Sequence, residues 1–193
     1  MKQKRMILAS ASPRRKELME QAGFAFEIRV SHKEEIYHSS QPDEIVKELA
    51  LLKAEDVAAS DHMENCIVIG ADTVVAVEDC ILGKPRSGED AADMIRRIQG
   101  RAHQVYTGLA ILQFDENGNK TVINHAVCTD VYVAEMSEKE ILEYVQSEDI
   151  MDKAGAYAIQ GIFGAKFIRR IEGDYYNVVG LPIGYIYQML KEV

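Results

Sequence analysis

Two residues stand where their surroundings make them costly, and each raises a question of chemistry. Asp72 lies in the run Ile67-Val68-Ile69-Gly70-Ala71-Asp72-Thr73-Val74-Val75, which is nearly all apolar. A carboxylate buried there without a partner would take up a proton instead of staying charged. Asp72 is therefore either the head of a tight turn that bonds its own backbone or the partner of a cation. Lys53 poses the converse problem, because it falls inside the helical stripe formed by Val46, Leu49, Ala50 and Val57. A lysine in such a stripe either runs its stem to the edge or reaches a buried anion.

Other charged residues sit at places suited to phosphate and metal. Ser12-Pro13 is a helix start, so Arg14, Arg15 and Lys16 lie at the positive end of a helix dipole, which disfavours each cation by roughly 0.3–1 kcal/mol. An arriving anion reverses that sign: spare N–H groups at the helix start meet phosphate, and arginine adds paired donors. The alternative is an exposed basic turn. Glu34-Glu35 follows an expected strand. Such a pair suits a hard divalent cation, which takes oxygens from one or two acids plus substrate phosphates, or it is a solvated loop. Lys84 stands in Gly83-Lys84-Pro85. In the stretch 152–161, with glycines at 155, 161 and 164 nearby, Asp152, Lys153 and Gln160 make a loop better suited to gripping a ligand than to packing. A glutamine amide can read a base edge through one donor and one acceptor. The histidines show no ligand spacing, and none is assigned a role.

The elements that must position these residues are legible from periodicity and punctuation. A first strand is expected over 5–9, a loop at 10–12 and a helix from Pro13. A second strand follows over 24–30 and a helix from Pro42 to about Ser60. Beyond the 67–75 run, Asp79 marks a turn, and a short strand ends at Leu82. A helix over 88–99 turns Ala91, Ala92, Ile95 and Ile98 inward, with Gly100 as its left-handed stop. The runs 103–114 and 121–133 form a hairpin about Glu116-Asn117-Gly118-Asn119. Ser137 and Glu140 make a capping box for a helix to about Ser147. A strand over 165–171, a turn at 172–174 and a last helix from Leu181-Pro182 complete the chain.

At 193 residues and 47% hydrophobic content the chain can bury a sizeable core as one domain, 1–193, or as two lobes sharing a cleft. Its net charge of −9 argues against a nucleic-acid or membrane-surface binder, so an anionic ligand must be met by local cations. Cys66, Cys80 and Cys128 lack metal-ligand spacing and are expected to be small buried hydrophobes. The apolar run after the basic Met1-Lys2-Gln3-Lys4-Arg5 is too short for a signal peptide or a membrane span, so the chain is expected in the cytoplasm.

Taken together, Ser10-Ala11-Ser12-Pro13-Arg14-Arg15, Gly70-Ala71-Asp72-Thr73-Val74-Val75, Gly83-Lys84-Pro85, Asp152-Lys153-Ala154-Gly155 with Ile159-Gln160-Gly161, and Gly173-Asp174-Tyr175-Tyr176 with Val179-Gly180-Leu181-Pro182 resemble the Maf family of septum-formation proteins. The resemblance implies an α/β fold of α+β type like that of inosine triphosphatase, with a mixed twisted sheet, flanking helices and a central cleft between two lobes. It implies a nucleoside triphosphate pyrophosphatase of the dTTP and UTP branch, dependent on Mg2+ with Mn2+ as the alternative. In that reading Asp72 accepts a proton, and Glu35, Lys53 and Lys84 are the other charged catalytic residues. Glu35 and Asp72 hold the metal; Ser10, Arg14, Arg15, Thr73 and Gln160 bind and sort the substrate. Glu34 competes with Glu35 for the metal. A homodimer is compatible with the chain, although no motif calls for one. The rival expectation is a nucleotide-binding regulator of division or septation with little turnover.

Overall fold

The computed structural model describes residues 4–60, 62–78 and 80–191; the expected turn at Asp79 and the first residues of the basic N-terminal run lie outside them. β1 (Arg5–Leu8) leads through Ser10 and Ser12 into α1 (Pro13–Gln21), whose N-cap is Ser12: its hydroxyl accepts the Arg15 N–H. β2 (Glu27–Ile28) and α2 (Pro42–Ala59) follow, then β3 (Cys66–Val77), β4 (Cys80–Leu82) and α3 (Gly88–Ile98). The long hairpin is β5 (Ala102–Phe114) and β6 (Lys120–Val133). α4 (Glu138–Ser147) opens on the complete capping box of Ser137 and Glu140. A 3-10 turn at Ala154–Ala156, α5 (Ile162–Phe167), β7 (Ile168–Glu172), α6 (Tyr175–Val179) and α7 (Ile183–Lys191) end the chain.

The fold is α/β, with one seven-stranded mixed sheet of order β2-β1-β3-β5-β6-β7, β4 pairing with β3, and helices flanking it. β1 runs parallel to β2 and to β3; β4 and β7 are antiparallel to β3 and β6. Contacts divide the chain into two units, residues 1–72, 107–127 and 180–193 in the first and 73–106 and 128–179 in the second. In the first, Ala50, Ala54 and Val57 of α2 pack on Ile7, Val68 and Ala110 of the strands. Two strand glycines allow this approach. A Cβ on Gly70 would stand 2.2 Å from the Ala50 carbonyl oxygen, and one on Gly108 would stand 2.0 Å from that of Val46. In the second, Ala91, Ala92, Ile95 and Ile98 of α3 share a core with Tyr144, Tyr157, Phe163 and Phe167.

Three expectations are corrected. The second strand shrinks to Glu27–Ile28, and Ile28 and Val30 are exposed, because this edge segment meets β1 over only two registered pairs. The expected 165–171 strand is a helix as far as Phe167 and a strand only from Ile168. Its apolar composition suits either state, and local capping decides: Glu148 takes the Ile162 N–H, and the Ala165 N–H closes on the Gly161 carbonyl. Of the cysteines only Cys66 is buried; Cys80 is half-buried and Cys128 exposed. The helix α6 is an addition, started by the Asp174 carboxylate accepting the Tyr176 N–H at 2.8 Å.

Candidate active site

β3 runs without a break through Asp72, which removes the turn alternative and leaves the acid in mid-strand. Side chains two apart on a strand share a face, so Asp72 leaves β3 on the side where Gly70 admits α2. There it meets Lys53. The Lys53 Nζ lies 2.5 Å from Asp72 Oδ1 and 2.8 Å from Glu35 Oε1, so one ammonium bridges two carboxylates. The Lys53 and Asp72 side chains are only 15% and 13% exposed, whereas Glu35 is 55% exposed, which gives the group a solvent side. Thus the lysine in the apolar stripe reaches an anion, and the acid of the adjacent pair that it reaches is Glu35.

Glu35 sits on an irregular segment that α2 also holds. Asp56, one helical turn beyond Lys53, accepts the Ser31 hydroxyl at 2.8 Å and the His32 N–H at 3.2 Å. The Ser31 bond, foremost, draws the Asp56 carboxyl below its ordinary value. Glu48 accepts the His38 N–H at 2.7 Å. Asp56 and Glu48 were not singled out from sequence; the signal available was their place on the same helix as Lys53.

Arg15 organises the other side of Asp72. Pairing between β1 and β3 ends at Ile69, and Arg15 Nη1 donates to the Ala71 carbonyl, two residues further along β3, at 2.9 Å. Its Nε donates to the Gly180 carbonyl at 2.8 Å, and Nη1 also reaches Ser10 Oγ at 3.2 Å. Ser10, itself buried, accepts the Ser12 N–H as well. Burial pushes the Arg15 guanidinium down from its ordinary value; the Asp72 charge opposes this, and neighbouring Arg14 adds to it. The basic helix start is therefore no solvated turn at Arg15, which ties three backbone or hydroxyl oxygens beside an acid. The carbonyl of Gly180 has no sequence signal as a partner of Arg15.

The structure thus brings Ser10, Arg15, Glu35, Lys53 and Asp72 into one network in the first unit, with Arg14 next to Arg15 in the opening turn of α1. Thr73, Lys84 and Gln160 fall in the second unit. Thr73 follows Asp72 on β3, so alternation sends its side chain to the opposite face. Lys84 is exposed in the turn after β4, where the Gly83 carbonyl accepts the Gly155 N–H at 3.0 Å and so joins this turn to the 152–156 loop. Gln160 is exposed just before α5. His103, without a site role, is buried and makes a 2.7 Å hydrogen bond through Nε2 with the Tyr157 hydroxyl; burial pulls its pKa down to about 4.

Chemically, two carboxylates on one ammonium can exchange that cation for another. Among the described residues no group of three or more His, Cys, Asp or Glu could hold a metal ion. The donor set of Glu35 and Asp72 nonetheless fits a magnesium-type ion, which needs only one or two carboxylates when phosphate oxygens complete its shell.

The model of the Maf-like protein family matches residues 5–193. The chain belongs to this family. The Maf-like chain is 44% identical to the dTTP/UTP pyrophosphatase of Lachnoclostridium phytofermentans, over 97% of this chain and 94% of that protein. It is 47% identical to the dTTP/UTP pyrophosphatase of a Geobacillus species, over 98% of each. Among solved structures it is similar to the nucleoside-triphosphatase, or dITP/XTP pyrophosphatase, of Mycobacterium abscessus, at 12% identity and a TM-score of 0.39 over 68% of this chain and 75% of that one. Among the described residues of this Maf-like chain, no helix is long and apolar enough to cross a membrane.

Proposed function

We propose that this chain is a nucleoside triphosphate pyrophosphatase that hydrolyses dTTP and UTP to the monophosphate and pyrophosphate. The observation that carries the reading is Asp72 fixed in mid-strand by Lys53, which also holds Glu35. Relatives at 44% and 47% identity over nearly the whole chain, both named dTTP/UTP pyrophosphatase, support the choice of substrates. Asp72 accepts a proton from the water that attacks the α-phosphorus. The bond from that phosphorus to the bridging oxygen of the β-phosphate breaks, and the electron pair leaves on pyrophosphate. Arg14, Lys53 and Lys84 offset the charge of the triphosphate, and Ser10 and Thr73 assist in holding it. Arg15 keeps the Ala71 carbonyl, and with it the adjoining Asp72, in place. Gln160 reads the pyrimidine edge. Mg2+, or Mn2+ in its stead, held by Glu35 and Asp72, would supply Lewis-acid compensation of phosphate charge.

The reading sets the protein in the cytoplasm with its nucleotide substrates. A second reading, a nucleotide-binding regulator of division with little turnover, draws on the same cationic groups, but it gives no task to an acid held in the strand by a lysine. Incubation of the purified protein with Mg2+ and, separately, dTTP, UTP, CTP and ATP, with pyrophosphate and orthophosphate assayed side by side, tests the proposal. Pyrophosphate from dTTP and UTP, lost on chelation, is the expected outcome. Orthophosphate alone would indicate cleavage of the terminal phosphate, and binding without either product would favour the regulator.

A further inference from the structure

Glu35 lies in a stretch, residues 31–38, that forms neither strand nor helix. Residues 32–38 are all exposed, the apolar Ile36 and Tyr37 among them. Burial therefore does not hold this stretch; hydrogen bonds to α2 do. At its start, Asp56 accepts the Ser31 hydroxyl at 2.8 Å and the His32 N–H at 3.2 Å. Ser31 passes the grip on, since its Oγ accepts the Lys33 N–H at 3.3 Å. At the far end, Glu48 accepts the His38 N–H at 2.7 Å. Between these anchors the Ile36 N–H closes on the Glu34 carbonyl at 3.0 Å, a three-residue turn with Glu35 at its apex. The Glu35 side chain is held as well: its Oε1 stands 2.8 Å from the Nζ of Lys53, on the same helix that grips the backbone. A carboxylate accepts equally through either oxygen, so turning over about its last bond does not change what it presents.

We propose that Asp56, acting through Ser31, is the positioning residue that sets Glu35 as a metal ligand, with Glu48 as the second anchor. The proposal rests on the metal-holding role of Glu35 given above. A ligand on an exposed segment must be ordered when the metal arrives, and that loss of entropy weakens binding; contacts made beforehand remove the cost. They act on metal affinity and leave the chemical step alone. Ionised carboxylates suit the task, because a charge-assisted bond to a hydroxyl or an N–H is stronger than a neutral one. Ordering exposed residues gains no core burial. What the contacts accomplish is the placement of Glu35 at Lys53, beside Asp72.

Asp56→Ala, Asp56→Asn, Glu35→Gln and the double variant of Asp56→Ala with Glu35→Gln are compared in the full chain. Mn2+ binding to the nucleotide-free protein is read from the electron paramagnetic resonance signal of the free ion, and the half-saturating Mg2+ concentration and kcat from dTTP hydrolysis. Asp56→Ala is expected to weaken Mn2+ binding and to raise the half-saturating Mg2+ concentration by about tenfold each, with kcat at saturating Mg2+ nearly unchanged. Asp56→Asn, whose amide oxygen can still accept from Ser31, should retain most of the affinity. In the Glu35→Gln background, Asp56→Ala should weaken Mn2+ binding no further, because a residue that acts through Glu35 then has nothing left to act on. Unchanged Mn2+ affinity in Asp56→Ala, or an equal loss with and without Glu35, would overturn the proposal. Should Asp56→Ala fail to fold, Ser31→Ala, which keeps the Asp56 bond to His32 and cuts the link to Lys33, takes its place in the cycle and must show the same pattern. If Glu35→Gln binds Mn2+ as tightly as the wild type, or neither binds it, the metal role of Glu35 fails and the proposal falls with it. If the wild type releases no pyrophosphate while the Mn2+ pattern holds, the pyrophosphatase reading fails and the positioning role stands.

Discussion

Lys53 and Asp72 are each unfavourable where they stand and acceptable only together. Their side chains are almost fully covered, and the 2.5 Å contact leaves each charge matched. Replacing Asp72 with Asn keeps its size and a hydrogen-bond acceptor but removes the charge, and with it the proton acceptor of the proposed mechanism. Turnover of dTTP is expected to fall by roughly 10²- to 10⁴-fold with the fold intact; pyrophosphate release and a circular-dichroism melt check this, and an unimpaired variant would take Asp72 out of the chemistry. Lys53→Met keeps the stem and removes the ammonium, leaving Asp72 and Glu35 without their shared cation. A loss of about 2 kcal/mol in urea unfolding is expected, since stripping one partner from a covered pair strands the other charge. Equal midpoints for the variant and wild type would show that the bridge contributes nothing.

At the scale of elements, the site depends on how closely α2 lies on β3. That distance is set by Gly70, where the Ala50 carbonyl oxygen occupies the space a Cβ would need. Gly70→Ala must push helix and strand apart and so separate Lys53 from Asp72. It is expected to cost about 3 kcal/mol, the scale of overpacking a core, and to lower turnover as well. Gly83→Ala is the control, because nothing lies within 4 Å of the Cβ it would add. Similar thermal midpoints for the two variants would contradict the close-approach account. Elements such as α4 were legible because their caps are local: the Ser137–Glu140 box lies within one turn of sequence. By contrast, β2 and α5 depended on what lay over them or capped them from a distance, and their apolar spacing alone misled.

For the molecule as a whole, the buried His103 ties stability to pH. Its folded pKa, about 4, lies below the ordinary histidine value of 6.5 because burial disfavours the imidazolium. Between those values the unfolded chain binds the proton and the folded chain does not, so stability is lost as pH falls from about 6.5 towards 4. The loss amounts to no more than about 3 kcal/mol over that window. Urea unfolding at stepped pH should show this fall in the wild type and a flatter profile in His103→Gln; parallel profiles would place the acid sensitivity elsewhere. The net charge of −9 belongs to the same scale, since it leaves any anionic ligand to be met by local cations.

The sequence by itself determined most elements and their caps and the α/β class, and it narrowed Asp72 to a turn residue or a cation's partner and Lys53 to a stem run to the edge or a partner for a buried anion. Those conclusions rest on short-range physics, namely helix capping, side-chain periodicity and the cost of burying a lone charge. Only the tertiary structure decided that the two answer each other, and that Glu35, not Glu34, shares the ammonium. It alone turned Arg15 towards the Gly180 and Ala71 carbonyls and set the end of α4 against the Gln160 turn. These contacts join residues far apart in the chain. Their existence depends on which strand lies beside which helix and at what distance, and no local pattern encodes that.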